Sequence, residues 1–407
     1  MKASTLLIAL SLLCSNLLLA DSTNDDLDKY ISQNKQDQFS YEYKKSAAES
    51  SKLSDSWISP LMLQYSYSTS NPYDNAQISQ NAFIKMDQPI FQSGGIYFAI
   101  KYASALKKYS NYSIDVAKRK LVKDAISLLM QIKQMGLNIQ KQNLRIKNSE
   151  ISLQLKKEQY LNGQLDSGFL DNAILERNLV IQALYDMQTN KEKLISRFKA
   201  ISDTDYKQIT IPNLELINEE QFLKDNIALD VSNSQIEKDR YMKNITISKY
   251  LPRVSVTAGY NWSKSESQQF SSNMLAFSEQ KEYYDYGLKV SMPLDVNTFV
   301  DVESSRVDYL KSKLAVKDKE RELTALFEQV MQNIDNLDKK KTLSHENRMI
   351  YEKLLADTVD LQKAGYKTKF DVDLLENSVN IQKIDTEIFE IDKQQELLTL
   401  YEMYKND

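Results

Sequence analysis

The chain reads as an α+β membrane protein in which pairs of short amphipathic strands alternate with helical hairpins far longer than a compact domain needs. Three observations lead there: an export leader with no later long apolar run, two proline-free stretches with a heptad pattern, and the same order of parts appearing twice.

The leader comes first. In MKASTLLIALSLLCSNLLLAD, Lys2 supplies the positive end, Leu6 to Leu13 a short apolar core and Ala20 a small residue before the cut. Residues 1–20 therefore read as a signal peptide, and the mature chain begins near Asp21. That core is too short for a transmembrane helix, which needs about 20 apolar residues, and no later segment offers such a run. Membrane contact then falls to strands or to a surface helix. Cys14, the only cysteine, leaves with the leader, which removes disulfides and the commonest soft metal ligand. The competing reading makes Cys14 a lipid-anchored N-terminus, but Leu12 and Leu13 fit poorly where small residues are expected.

Composition excludes several chemistries. With 52 basic and 56 acidic residues the formal net charge is −4, which gives no pull toward nucleic acid. The single histidine, His345, lies in the polar run KKKTLSHENR, where a solvated helix position is simpler than a base or ligand. The many carboxylates have no Gly-rich or His-bearing constellation around them. No catalytic residue, metal site or cofactor is predicted, and the chain reads as a non-enzyme.

The helices follow from where the breakers fall. The prolines are Pro60, Pro72, Pro89, Pro212, Pro252 and Pro293, so residues 90–211 and 294–407 contain none and are free to be helical. From Leu121 the apolar positions run Leu121, Ala125, Leu128, Ile132, Met135, Ile139, Ile146, Leu153 and Tyr160, with Gln142, Ser149 and Lys156 filling the gaps. The second stretch repeats the spacing through Leu323, Phe327, Val330, Ile334 and Leu337, then Tyr351, Leu355 and Thr358. A mean step near 3.5 residues is a heptad seam with a left-handed supercoil. Length separates this from an ordinary bundle core: about 65 helical residues between Gly95 and Gly163 span on the order of 100 Å.

Aligning Pro60 with Pro252 and Pro89 with Pro293 gives one plan twice: a lead-in helix, two strands, a long helix, a glycine-marked turn and a returning helix. Residues 21–216 form the first repeat and 217–407 the second. Residues 203–218 read as a connector around Pro212, followed by a helix from about Glu219 to Ile247.

The strands alternate. LMLQYSYST places Leu61, Leu63, Tyr65 and Tyr67 opposite Met62, Gln64, Ser66 and Ser68. VSVTAGYNWS places Val254, Val256, Ala258, Tyr260 and Trp262 opposite Ser255, Thr257, Gly259, Asn261 and Ser263. The fourth sets Tyr284, Tyr286, Leu288, Val290 and Met292 against Asp285, Gly287, Lys289 and Ser291. The second, between Asn81 and Gln88, is less clean, because Phe83 shares a face with Asn81, Lys85 and Asp87. Strands of about ten residues with aromatic residues near their ends suit a lipid-facing barrel with a wet lumen. Four strands cannot close one, and an open edge is not tolerated in lipid, so several chains must each contribute. The connection around STSNPYDN is short, and KSESQQFSSNMLAFSEQKE reads as the longer outer loop.

Three segments carry a family resemblance. MDQPIFQSGG at 86–95, YLPRVSVTAGY at 250–260 and VSMPLDVNT at 290–298 resemble the strand-end signatures of the TolC family of outer-membrane efflux proteins, and the resemblance covers nearly all of the mature chain. It implies a homotrimer whose subunits each give four strands to one twelve-stranded barrel, standing on a coiled-coil cylinder of helices that crosses the periplasm. It also implies partners, namely outer-membrane lipid, a periplasmic adaptor and an inner-membrane RND or ABC transporter, as in tripartite efflux or type I secretion. The chain itself is then a passive conduit.

The same resemblance places the periplasmic aperture at the two helix turns, YLNGQLDSGFLD at 160–171 and KAGYKTKFDVDLL at 363–375. The family's second turn reads Y-x-x-G-x-R-x-x-x-D-x-x-D, where this chain has Gln362, Gly365, Lys367, Asp371 and Leu374. Gly365 and Asp371 match. Lys367 keeps the charge without the planar fork of arginine, and Asp373 stands one position from the missing second carboxylate. In the first turn Gly163 matches, Phe169 replaces the aspartate six positions on, and Asp171 follows two later, which suggests an altered turn length with Asp166 and Asp171 as weaker candidates. The aperture set is therefore Asp371, Lys367, Asp373, Asp171 and Asp166, with Gly163 and Gly365 as the turn glycines. A periplasmic coiled-coil adaptor or scaffold shares the export signal and the heptads, but it usually has one hairpin where this chain has two.

Overall fold

The computed structural model describes residues 29–71, 77–267 and 277–405. The leader with Cys14, and the middles of both strand-connecting loops, lie outside the described residues. Seven helices and four strands follow in order among those described: α1 Gln33–Ser54, β1 Met62–Ser70, β2 Gln77–Phe91, α2 Gly95–Leu161, α3 Ser167–Lys199, α4 Glu219–Lys224, α5 Ile227–Lys249, β3 Arg253–Ser267, β4 Phe277–Ser291, α6 Thr298–Lys363 and α7 Lys369–Tyr401. The two proline-free stretches become the long helices α2, of 67 residues, and α6, of 66. No described helix is long and apolar enough to cross a membrane.

The helices form four columns side by side. α3 and α1 both pack against α2, and the end of α3 leads onto the start of α1, where Ser32 N donates to Ile201 O at 2.8 Å. α2 packs on its other flank against α7 and α5, which meet end to end through Ile227 N to Met403 O at 2.9 Å and Lys405 N to Asp225 O at 2.8 Å. α6 packs against α7 and α5. The order is thus α3 with α1, then α2, then α7 with α5, then α6. The antiparallel sheet has the order β1-β2-β3-β4, so each strand continues its own column. Both flanks of the wall are open: β1, α1 and α3 on one side, β4 and α6 on the other.

Burial follows the seams. On α6 the expected residues Leu323, Phe327, Val330, Ile334 and Thr358 are buried. On α2, Ala125 and Ile132 are buried as the heptad implies, but so are Val122, Ile126, Leu129, Met130 and Leu137. One stripe could not predict this, because α2 packs on both flanks and buries more than one face.

Three sequence expectations are corrected. The helix expected from Glu219 to Ile247 is broken between Lys224 and Ile227, where Asn226 caps α5 by accepting from Ala228 N at 2.9 Å and its backbone bridges Tyr404. β2 runs from Gln77 to Phe91, well beyond Asn81–Gln88, because Ser79 and Gln80 are held in ladders on both sides. The long outer loop also shrinks, since β3 continues to Ser267 and β4 begins at Phe277. Residues 203–218 are a connector as read, lying across α2 through Ile209 and Ile211 and across α7 through Leu214 N to Gln394 Oε1 at 2.7 Å.

The ladders fix the faces of the sheet. Leu63, Ile84, Tyr260 and Tyr284 are mutually paired across the four strands, and Tyr65, Ala82 and Trp262 form the next row. This face is unpacked, with Leu63 76% and Tyr286 81% exposed. The other face carries Asn81, Lys85, Asp87, Thr257, Asn261, Asp285 and Lys289, tied across strands by Lys289 to Asp87 at 3.4 Å and Asn261 Nδ2 to Asp285 Oδ1 at 2.7 Å. Phe83 joins this polar face, as its position in the alternation predicts, with Lys85 over its ring at 4.9 Å.

Candidate functional site: the helix turns and the seam above them

The far ends of the long helices turn in the same way. Gly163 has φ 69° and Gly365 has φ 79°, and a Cβ at either would meet nothing within 4 Å. Glycine is required there for its backbone conformation rather than for space. After α2, Gln164 N donates to Gln159 O and Gly163 N to Tyr160 O; after α6, Tyr366 N donates to Leu361 O and Gly365 N to Gln362 O. Both are Schellman ends that satisfy the last carbonyls.

The returning helices begin at the same distance from their glycines, at N-caps Asp166 and Thr368. The two turns of this chain are therefore equal in length, and only their side chains differ. Asp166 Oδ1 accepts from Gly168 N at 2.8 Å and from Phe169 N at 3.4 Å, which occupies it as a helix cap. In the second turn Thr368 and Asp371 form a reciprocal capping box, with Thr368 N to Asp371 Oδ2 at 2.8 Å and Asp371 N to Thr368 Oγ1 at 3.3 Å. Lys367 Nζ lies 3.8 Å from Asp371 Oδ1. The Thr368 backbone N–H and then its hydroxyl hold the Asp371 carboxyl below the usual carboxylate range against the opposing effect of burial, and Lys367 adds a lesser pull.

Of the predicted set, only Lys367 and Asp371 are brought together, and both stand in one turn of one chain. Asp171 and Asp373 each stand five positions past their N-caps, Asp171 exposed on α3 and Asp373 half-buried. Asp373 lines a groove of 540 Å³ between α2 and α7, together with Lys147, Glu150, Glu376 and Asn377. Among the described residues no hydrogen bond or ion pair joins the acids of one turn to the other.

Above the turns the seams differ in chemistry. Between α2 and α7 the contacts include Gln134 to Asp392 at 2.6 Å, Lys141 to Asp385, and Asn377 to Asn148 at 2.7 Å. Burial pushes the Asp392 carboxyl up, and Gln134 and Lys340 pull it partly back. Each hairpin has a buried polar side chain that bonds its returning helix: Gln142 Nε2 donates to Val180 O at 2.8 Å, and Ser344 Oγ donates to Gln382 O at 3.1 Å. The sequence signal for both was available, as polar residues at heptad positions, but it read as gaps in the stripe.

No family model matches the chain, and no curated protein matches it in sequence. Solved structures do match. The outer membrane protein VceC of Vibrio cholerae is 13% identical, with a TM-score of 0.71 over 93% of this chain and 95% of its own. The CmeC outer membrane channel of Campylobacter jejuni is 11% identical, with a TM-score of 0.71 over 94% of this chain and 86% of its own. The MtrE outer membrane channel of Neisseria gonorrhoeae, in its open state, is 11% identical, with a TM-score of 0.61 over 93% and 87%. At these identities the likeness establishes architecture, and the chain has the fold of the TolC-family outer-membrane channels.

Proposed function

We propose that the chain is one subunit of a ring-closed outer-membrane channel, a passive conduit from the periplasm to the exterior. The observation that carries this reading is the shared order of strands and helical columns, with two open flanks of different composition. Unlike flanks joined head to tail generate a ring when the rotation between copies closes, as the family resemblance implies for three copies. Three copies give the twelve-stranded barrel and helical cylinder that the family resemblance implies. The flanks also carry apolar residues with nothing to cover them in a single chain: Leu175 and Leu179 on α3 are 61% and 67% exposed, and Leu343, Ile350, Leu354 and Leu361 recur at heptad spacing on α6, each at least 43% exposed.

The two halves are best understood as a duplication, since a shift of 202 residues (365 − 163) carries Gly163 onto Gly365, Asp171 onto Asp373, and the Gln142 to Val180 contact onto Ser344 to Gln382. The channel resides in the outer membrane and extends into the periplasm, where an adaptor and an inner-membrane RND or ABC transporter deliver solutes in a tripartite efflux or type I secretion system. Its aperture lies at the turns, with Asp371 held by Thr368 and Lys367 as a ring of like carboxylates that favours cations. Asp166, Asp171 and Asp373 add negative charge around it. Planar-bilayer recording tests this: the purified protein gives discrete cation-preferring conductance steps, and Asp371→Asn lowers the preference. Absence of conductance steps would overturn the channel, and unaltered selectivity in Asp371→Asn would remove the carboxylate ring.

A further inference from the structure

Two grooves of nearly equal size lie where the connector crosses the long helices. One, of 490 Å³, is lined by α2, α3 and residues 206–211; the other, of 500 Å³, is lined by α6, α7 and residues 213–216. The shift of 202 residues carries the helical lining of one onto the other: Leu129 onto Met331, Ile132 onto Ile334, Lys133 onto Asp335, Gly136 onto Asp338 and Lys191 onto Lys393. The apolar floors agree, and the charges do not.

In the second groove the charges are matched internally. Lys393 Nζ donates to both oxygens of Asp338 at 3.0 Å, Asp335 pairs with Lys339, and Glu390 pairs with Lys341. In the first groove glycine stands where that acid would be. Lys191 Nζ comes within 3.8 Å of the place that a Cβ on Gly136 would occupy, so it reaches from α3 over α2 as Lys393 reaches from α7 over α6, without a carboxylate to meet. Lys133 and Lys207 line the same groove. Among the described residues none of these three lysines makes an ion pair. The acids of the neighbouring connector are already engaged, Asp203 accepting from Gln33 N at 2.9 Å and Asp205 from Lys207 N at 3.1 Å. Three like charges around an apolar floor favour an anionic occupant.

One such segment begins at the rim. Tyr30 and Ile31 are 2% and 4% exposed in the same cluster as Leu129, Ile132 and Ile209, and the Tyr30 hydroxyl donates to Thr210 O at 3.2 Å, where Thr210 lines the groove. Just before Lys29 and Tyr30 the sequence reads DSTNDDLD at 21–28, with carboxylates at Asp21, Asp25, Asp26 and Asp28 and one apolar residue, Leu27. These eight residues lie outside the described ones. Fully extended they reach ~26 Å, more than the ~10 Å that separates two packed helices. Attachment beside the rim gives the segment an effective concentration that a free anion lacks.

We propose that residues 21–28 occupy the groove between α2, α3 and the connector, with Asp25, Asp26 and Asp28 supplying the negative charge that Asp335 and Asp338 supply in the second groove. The segment then clasps the connector to the first hairpin. The contact is made within one chain and needs no ring, so its failure leaves the channel standing.

Carbodiimide coupling, which joins a lysine amine directly to a carboxylate in contact with it, tests this on the full chain assembled from unlabelled and 15N-labelled copies, with peptide mass spectrometry as the readout. The Lys393 to Asp338 pair is the internal standard. Lys133, Lys191 or Lys207 should couple to Asp25, Asp26 or Asp28 of the same copy. That yield should fall at least threefold relative to the standard in Gly136→Asp, which gives α2 the carboxylate that Asp338 gives α6, and should also fall in ~1 M salt, where the screening length is ~3 Å. Absence of coupling to residues 21–28 beside a normal standard would overturn the clasp, as would a yield undiminished in Gly136→Asp. Coupling of the three lysines to acids of a differently labelled copy would overturn it too, and would identify a subunit contact as the cover.

Discussion

Gln142 and Ser344 offer a graded test of how the hairpins are held. Gln142 is 4% exposed, and its amide donates to Val180 O at 2.8 Å across the α2–α3 seam. Gln142→Ala removes one buried hydrogen bond, worth ~1 kcal/mol, and at least one buried methylene, worth ~0.8 kcal/mol, so the local cost is about 2 kcal/mol. Ser344, also 4% exposed, loses only a hydroxyl in Ser344→Ala, at a cost of about 0.5–1 kcal/mol. Native-state hydrogen exchange reads such local openings residue by residue. Protection of the amides from Val180 to Leu184 should fall about 30-fold in Gln142→Ala, and that of Gln382 to Thr386 about two- to five-fold in Ser344→Ala. Gln142→Leu loses the bond to Val180 O but keeps the buried apolar volume, so its protection should lie between that of Gln142→Ala and the parent. Unchanged protection in Gln142→Ala, or a larger loss in Gln142→Leu than in Gln142→Ala, would refute the reasoning.

Thr368→Ala should fray the first turn of α7, lowering protection of residues 369–372 about five-fold for a capping loss of ~1 kcal/mol, with no change at residues 167–170; an equal loss in both turns would contradict the local capping box. Asp371 also makes that turn acid-sensitive: its depressed carboxyl contributes stability present above its unfolded value near 3.8, which is lost as pH falls through the lower folded value. Asp392 behaves in the opposite sense, because burial raises its carboxyl, so its contribution is favourable below 3.8 and is lost as pH rises through the folded value. Asp392→Asn should therefore stabilise the α2–α7 seam at pH 7 and lose that advantage near pH 3, as read by thermal melts at the two values. Leu175→Glu with Leu179→Glu should leave helicity by circular dichroism intact and abolish assembly, and a fully assembled variant would mean that α3 is not a subunit contact.

The parts of the fold legible in the sequence were those set by one dominant signal. The absence of proline over 90–211 and 294–407 gave the long helices, and Gly163 and Gly365 gave their ends. Strand faces were legible from alternation even at Phe83. The bulge at Ile90 was not, because an extra residue in one strand is defined only by its partners Val254 and Ser255. The second buried face of α2 was hidden for a similar reason: Val122, Ile126, Leu129 and Met130 look like surplus apolar residues until Ile195 and Phe198 of α3 and Ile388, Ile391 and Leu398 of α7 join them in one cluster. At the turns the glycines were evident from their place between long helical stretches and Asp371 was singled out by the family resemblance, but the commitment of Asp166 and Asp371 to capping was not legible. Matching against the family's Y-x-x-G-x-R-x-x-x-D pattern directed attention to a gate tether and away from the local role that Thr368 and Asp371 fill within a single turn.

The channel account rests most directly on location and stoichiometry together. Cell fractionation followed by native mass spectrometry of the full chain in mild detergent measures both. The account predicts an outer-membrane protein whose mass is that of three copies. A monomer recovered from the soluble periplasmic fraction would contradict it.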